Sequence, residues 1–208
     1  MTRMRIITRT LAASALLMAT TSCSSTVRTG DSPMFLVIQN IAGIRGGPTA
    51  GQSGALLISD VLTQVTTGNA GGRACTQLAP CPFVFGDSGT ATLSLAKKDV
   101  SSPAAPTTNN QVTISRINVH YRLSSGTGAL PADFDTFATA TVTAVGSVTM
   151  GFELVRVQAK EAPPLSLLAG GGPKLAVVAD LTFFGKDQVG NDISATGSIQ
   201  IEFGDWAD

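Results

Sequence analysis

The chain is short of charge, of aromatic rings and of histidine. Only 13% of its 208 residues are charged and 5% are aromatic, with one histidine (His120), one tyrosine (Tyr121) and one tryptophan (Trp206). Each shortage removes a class of function. Fourteen basic residues are matched by fourteen acidic ones. No basic cluster lies beyond the first residues, so the electrostatic footprint of a nucleic-acid binder is missing. One histidine leaves a single imidazole for nucleophilic catalysis, which needs nucleophile, base and orienting group within reach. Neither a Gly-x-Ser-x-Gly elbow nor a Gly-Lys-[Ser/Thr] phosphate loop occurs. Few rings leave few platforms for stacking sugars, with Tyr121 and Trp206 the exceptions to test. No uninterrupted apolar run beyond the N-terminal region is long enough for a membrane-spanning helix.

What is present begins at the N-terminus. Arg3, Arg5 and Arg9 precede the apolar, small-residue run Leu11 to Ala19, and Thr20-Thr21-Ser22 leads into Cys23. The run is about nine residues, too short to span a bilayer and of the length of a removable secretory signal. Residues 1–23 resemble the signal of bacterial lipoproteins, in which the cysteine becomes the lipidated first residue. The resemblance implies a signal over residues 1–22, acyl chains on Cys23 and an anchor in the membrane. Each buried methylene contributes about 0.8 kcal/mol, so several chains hold firmly. With Ser24 rather than Asp after the cysteine, the resemblance also implies outer-membrane sorting in a host with two membranes. Thr20 stands where that family most often has Leu, and ordinary cleavage near Ser22 without lipid is the competing reading. Removing residues 1–22 takes away three arginines and no acid, leaving 11 basic against 14 acidic residues, a net charge of −3.

Three cysteines are an odd number for an exported chain. Lipidation consumes Cys23 and leaves Cys75 and Cys81, with five residues between them, in an oxidising compartment. They are expected to form a disulfide that contributes about 2 kcal/mol, since short loops lose little unfolded-state entropy. Zinc is the rival reading, but two thiols fall short of four ligands.

Residues 23–33 read as a Ser/Thr/Gly-rich tether, and 34–208 as one domain. Strand signals recur along it, with Gly- and Pro-rich turns between. Thr90–Lys98 alternates, with Ala91, Leu93 and Leu95 on one side. Val112 and Ile114 share one parity and Ile117, Val119, Tyr121 and Leu123 the other, which predicts a β-bulge near Ser115–Arg116. Phe134, Ala138, Ala140, Val142 and Ala144 line a further stretch. Val145-Gly146-Ser147 reads as a hairpin turn into Val148, Met150, Phe152 and Leu154. Pro163 and Pro164 suit the first turn of a short helix over 160–168. Leu175–Phe183 and Ile193–Phe203 alternate about the turn 187–191 as a final hairpin. The pattern predicts an all-β fold: a single antiparallel β-sandwich with at most one short helix. The segment Phe183–Gly197 resembles the last hairpin of bacterial immunoglobulin-like and fibronectin-III-like domains, which implies an immunoglobulin-like architecture and no activity.

Candidate chemistry is thin. Arg116, Asn118, His120 and Arg122 form an outward stripe, and its two arginines would depress the basicity of His120 if close. Carboxylates pair in sequence at Asp133/Asp135 and Asp187/Asp192, where a glycosidase would need two across a cleft. Asp187, Asn191 and Asp192 put oxygens in a tight turn, at spacings unlike an EF-hand. Gly86–Gly89 reads as a turn. The expected role is a non-enzymatic interaction or structural module of the cell envelope. It would be held to the membrane by Cys23, bind an envelope protein partner and need neither cofactor nor metal. The alternatives are a ligand- or carbohydrate-binding surface lipoprotein, with a groove at Tyr121, Arg122 or Trp206, and a carboxylate-dependent hydrolase.

Overall fold

A computed structural model describes residues 32–48, 53–100 and 110–206. Cys23, the signal and nearly all of the tether lie outside the described residues. In chain order the elements are β1 (Met34–Ile44), β2 (Ser53–Gly54), β3 (Leu56–Asp60), β4 (Thr63–Val65), β5 (Asn69–Ala70), β6 (Arg73–Ala74), β7 (Cys81–Phe83), β8 (Asp87–Lys97), β9 (Val112–Leu123), β10 (Phe134–Thr136), β11 (Ala140–Val142), β12 (Ser147–Val155), helix α1 (Val157–Glu161), a 3₁₀ turn (Leu165–Leu168), β13 (Leu175–Asp187) and β14 (Asp192–Gly204). They build an all-β sandwich. One sheet runs β12-β8-β1-β2, and the other β10-β9-β13-β14-β3, with β11 also on β9.

Period-two alternation decides which side chains meet between the sheets. From the first sheet come Leu36, Ala91, Leu93, Met150, Phe152 and Leu154, and from the second Ile117, Val119, Tyr121, Leu181, Phe183, Ile201 and Phe203, all buried. Phe152 meets Phe183 edge-on at 5.7 Å between centroids, and Tyr121 meets Phe203 likewise at 6.4 Å. The outer faces are stitched by cross-strand threonines: Thr92 with Thr149 and Thr182 with Thr196, both at 3.0 Å.

The bulge falls where the parity switch puts it. Phe184 pairs with Arg116 and Gly185 with Ile114, so Ser115 is the extra residue. The final hairpin pairs Leu175 with Phe203 through Lys186 with Asp192 without a register break. Cys75 and Cys81 are bonded, with sulfurs 2.07 Å apart.

Four expectations need correction. The chain around Gly146 does turn (φ +102°), but no hairpin forms there. Val142 pairs with Val112 in one sheet and Val148 with Leu93 in the other, so the segment crosses between layers. The helix lies before the prolines, with the 3₁₀ turn after them, because proline lacks an amide and disfavours helical geometry in the residue before it. Ala162, ahead of Pro163, is accordingly extended at φ −111°, ψ 153°. Gly86–Gly89 is no free turn, since β8 starts at Asp87 and buries it. One pairing is parallel: the chain leaves the first sheet after β2, and β3 lies along Gln200–Gly204 of β14 in the second.

Candidate functional site

The most concentrated polar chemistry is buried at one end of the sandwich, where β1 and β3 end, β8 starts, and α1 covers the opening. The register of β1 on β8, with Ile44 opposite Ser88, carries Arg45 and Gly46 past Asp87. The parallel pairing brings Asp60 beside Gly204. Lys160 enters from α1. Its ammonium lies 2.7 Å from Asp87 Oδ2, and the two side chains are 1% and 0% exposed. The same Nζ donates to the Asp60 carbonyl oxygen at 2.8 Å.

Asp87 is held on three sides. Besides Lys160, the Ser59 hydroxyl donates to Oδ2 at 2.6 Å and the Gly46 amide donates to Oδ1 at 2.8 Å. Gly46 must be glycine for this approach, since a Cβ there would overlap the Gly86 carbonyl oxygen. Asp60 is engaged separately: Arg45 and the Thr63 hydroxyl donate to Oδ2 at 2.8 and 2.9 Å, while the Trp206 amide donates to Oδ1 at 3.2 Å. Two cations and two carboxylates thus balance. Burial holds the Lys160 pKa below the ordinary lysine range, although Asp87 and Asp60 oppose that shift.

The stripe Arg116, Asn118, His120 and Arg122 points outward as expected, and each member is paired. Arg116 and Asn118 donate to Asp135 at 3.2 and 2.9 Å, His120 Nδ1 lies 2.6 Å from Asp133, and Arg122 donates to Asp180 at 2.8 Å. Asp133 also accepts from the Tyr121 amide. Asp133 and Asp135 therefore work as partners of this face and do not oppose one another across a cleft. Hydrogen bonds from Asn118, outweighing a small cost of burial, and from Arg116 hold the Asp135 pKa below the aspartate range. Tyr121 is no stacking platform. Its ring is buried, its hydroxyl donates to Leu154 O at 2.7 Å, and burial drives its pKa far up. Trp206 is covered on one face by Lys174, with Nζ 3.4 Å from the ring centroid.

Asp187 and Asp192 separate into two roles. Asp192 pairs with Lys186 at the surface. Asp187 closes the turn, accepting from the amides of Val189 and Asn191 and from Asn191 Nδ2 at 2.9–3.0 Å, with Gly190 at φ +94°. Burial pushes the Asp187 pKa up, but the bonds from Asn191 and Val189 outweigh it and leave it below the ordinary aspartate value. Its contribution is thus present above pH ~4 and is lost as pH falls through the lowered pKa. Asp187→Ala is expected to cost about 3 kcal/mol at neutral pH, at roughly 1 kcal/mol for each of the three hydrogen bonds. Urea titrations at descending pH should show the gap between variant and wild type closing. A pH-independent gap would mean that the carboxylate is not what closes the turn. Among the described residues no three His, Cys, Asp or Glu side chains gather as a metal would require.

The last polar feature is backbone. In the hairpin the Asp187 amide donates to Asn191 O. By antiparallel alternation the odd residues of β14 then bond β13, and the even ones turn their amides and carbonyls away from it. Gly204 O accepting from Val61 N at 2.9 Å fits that phase. β3 covers only Gln200–Gly204, so among the described residues Asp192, Ser194, Thr196 and Ser198 have no strand partner on that side and form an open edge. That edge has no bulge, no proline and a single charged residue, the features by which edges are normally guarded. Across the sandwich, β1 is interrupted between Ile38 and Asn40.

Sequence reasoning missed the buried network. The one available signal was parity: Asp87 shares the inward phase of Gly89, Ala91 and Leu93. Asp60 and Lys160, 100 residues apart, carried none. No family model matches the chain, and no curated protein or solved structure gives a significant match.

Proposed function

We propose that this chain is a lipid-anchored cell-envelope protein whose β-sandwich binds a protein partner by strand addition. The observation that carries the binding half is the open edge Asp192–Ile199, eight residues of regular, unguarded strand. An extended segment laid against it would gain main-chain hydrogen bonds from the even residues. Its inward side chains would continue the row Ile193, Ala195 and Gly197, and its outward ones the row Ser194, Thr196 and Ser198. The occupant that fits is therefore an extended stretch of an envelope protein that alternates small apolar with small polar residues. The anchor half rests on the residues around Cys23.

Two substitutions test the two halves separately. Cys23→Ser should move the protein from the membrane fraction to the soluble one; unchanged retention refutes the anchor. Ser194→Pro removes an outward amide without breaking a bond to β13, because proline is tolerated only on the open side of an edge. It should abolish capture of the partner from detergent-solubilised envelope while the thermal transition survives. Undiminished capture by a folded Ser194→Pro protein rules out this edge.

A further inference from the structure

The buried Lys160–Asp87 pair has the geometry of a reaction as well as of an ion pair. We propose that Lys160 and Asp87 condense to an intramolecular amide between Nζ and Cγ, a covalent tie from α1 to the start of β8. Nζ sits 2.7 Å from Oδ2 and so in contact with Cγ. Both partners are held by the fold, which makes the reaction intramolecular and removes the entropic cost of encounter.

The reactive forms are amine and carboxylic acid. The proton passes from Nζ to Oδ2 along the hydrogen bond that already joins them. In water the ions would dominate, but at 1% and 0% exposure the hydration that favours them is gone. The lowered lysine pKa runs in the same direction. The nitrogen lone pair then attacks Cγ, and charge develops on Oδ1. The Gly46 amide, 2.8 Å away, already points at that oxygen.

Oδ2 is the leaving oxygen. It holds the transferred proton, takes a second from the nitrogen, and departs as water, with the Ser59 hydroxyl donating to it at 2.6 Å. The Cγ–N bond forms and the Cγ–Oδ2 bond breaks. Of the three ammonium hydrogens, one stays on the amide and two leave in the water, so no oxidant or cofactor is needed. Asp60 selects the partner. Its carbonyl oxygen aims Nζ from 2.8 Å, while its carboxylate is taken by Arg45 and Thr63. Among the described residues Asp87 is the one carboxylate within ion-pair distance of the amine. Gly46 and Ser59 act on the reacting oxygens, and Asp60 is a positioning residue.

Peptide mapping of the full-length native protein by mass spectrometry, after denaturation and disulfide reduction, tests this directly. Trypsin cannot cut after an acylated lysine. The expected product is peptide 74–97 joined to peptide 157–174, at their summed mass less one water. Asp87→Asn should give the same joined species, with ammonia leaving in place of water, and Lys160→Arg should give none. Cleavage after Lys160 together with an unlinked 74–97 peptide, from wild-type protein whose Cys75–Cys81 bond is formed, overturns the proposal and leaves a non-covalent ion pair.

Discussion

Lys160→Ala is expected to lower the unfolding free energy by about 3–5 kcal/mol, the cost of stripping one partner from a buried charge pair. The variant would leave the Asp87 carboxylate buried at the end of the sandwich without its Lys160 partner, and the Asp60 carbonyl without the Nζ donor. Both losses occur whether the pair is ionic or joined as an amide. Domains of this kind have only about 5–15 kcal/mol in hand, so the loss is a large share of the total. A denaturant titration should show a much lower midpoint at an unchanged slope. A fall equivalent to less than about 1 kcal/mol would place the network among exposed pairs in its energetics and contradict its burial.

Phe183→Ala should cost a similar amount, about 3–5 kcal/mol, while Phe184→Ala should cost less than about 1 kcal/mol. The neighbours differ only in the face they occupy. Phe183 is fully buried and meets Phe152 from the opposite sheet, so its removal opens a cavity where the two layers lock. Phe184 lies outward with the Arg116 guanidinium 3.9 Å over its ring, and solvent can take its place. Paired thermal melts give the comparison. Equal losses would mean that the alternation of β13 has been assigned to the wrong face.

Local signals carried most of the architecture. The parity break from Ile114 to Ile117 located the bulge at Ser115, because a strand that keeps its core face must slip there. Alternation from Leu175 to Phe203 gave the last hairpin and its register. The spacing of Cys75 and Cys81 gave the disulfide. The errors lay where pairing partners had to be chosen. Gly146 turns the chain whether its flanking strands share a sheet or not, and only packing sent Val142 and Val148 to different layers. Tyr121 looked like a ring to test for ligand contact until its inward phase set it against Phe203 and Leu154.

The sequence by itself determined an all-β chain with inward and outward faces, one bulge, one short disulfide loop and an N-terminal segment that resembles a lipoprotein signal. These follow from period two, turn chemistry and cysteine spacing, which act over a few residues. The tertiary structure alone decided that Arg45, Asp60, Asp87 and Lys160 meet, and that β3 runs along only the last five residues of β14. Both depend on which strands lie side by side. That choice is made by the fit of the whole core, and it brings together residues whose own neighbours in sequence give no sign of each other.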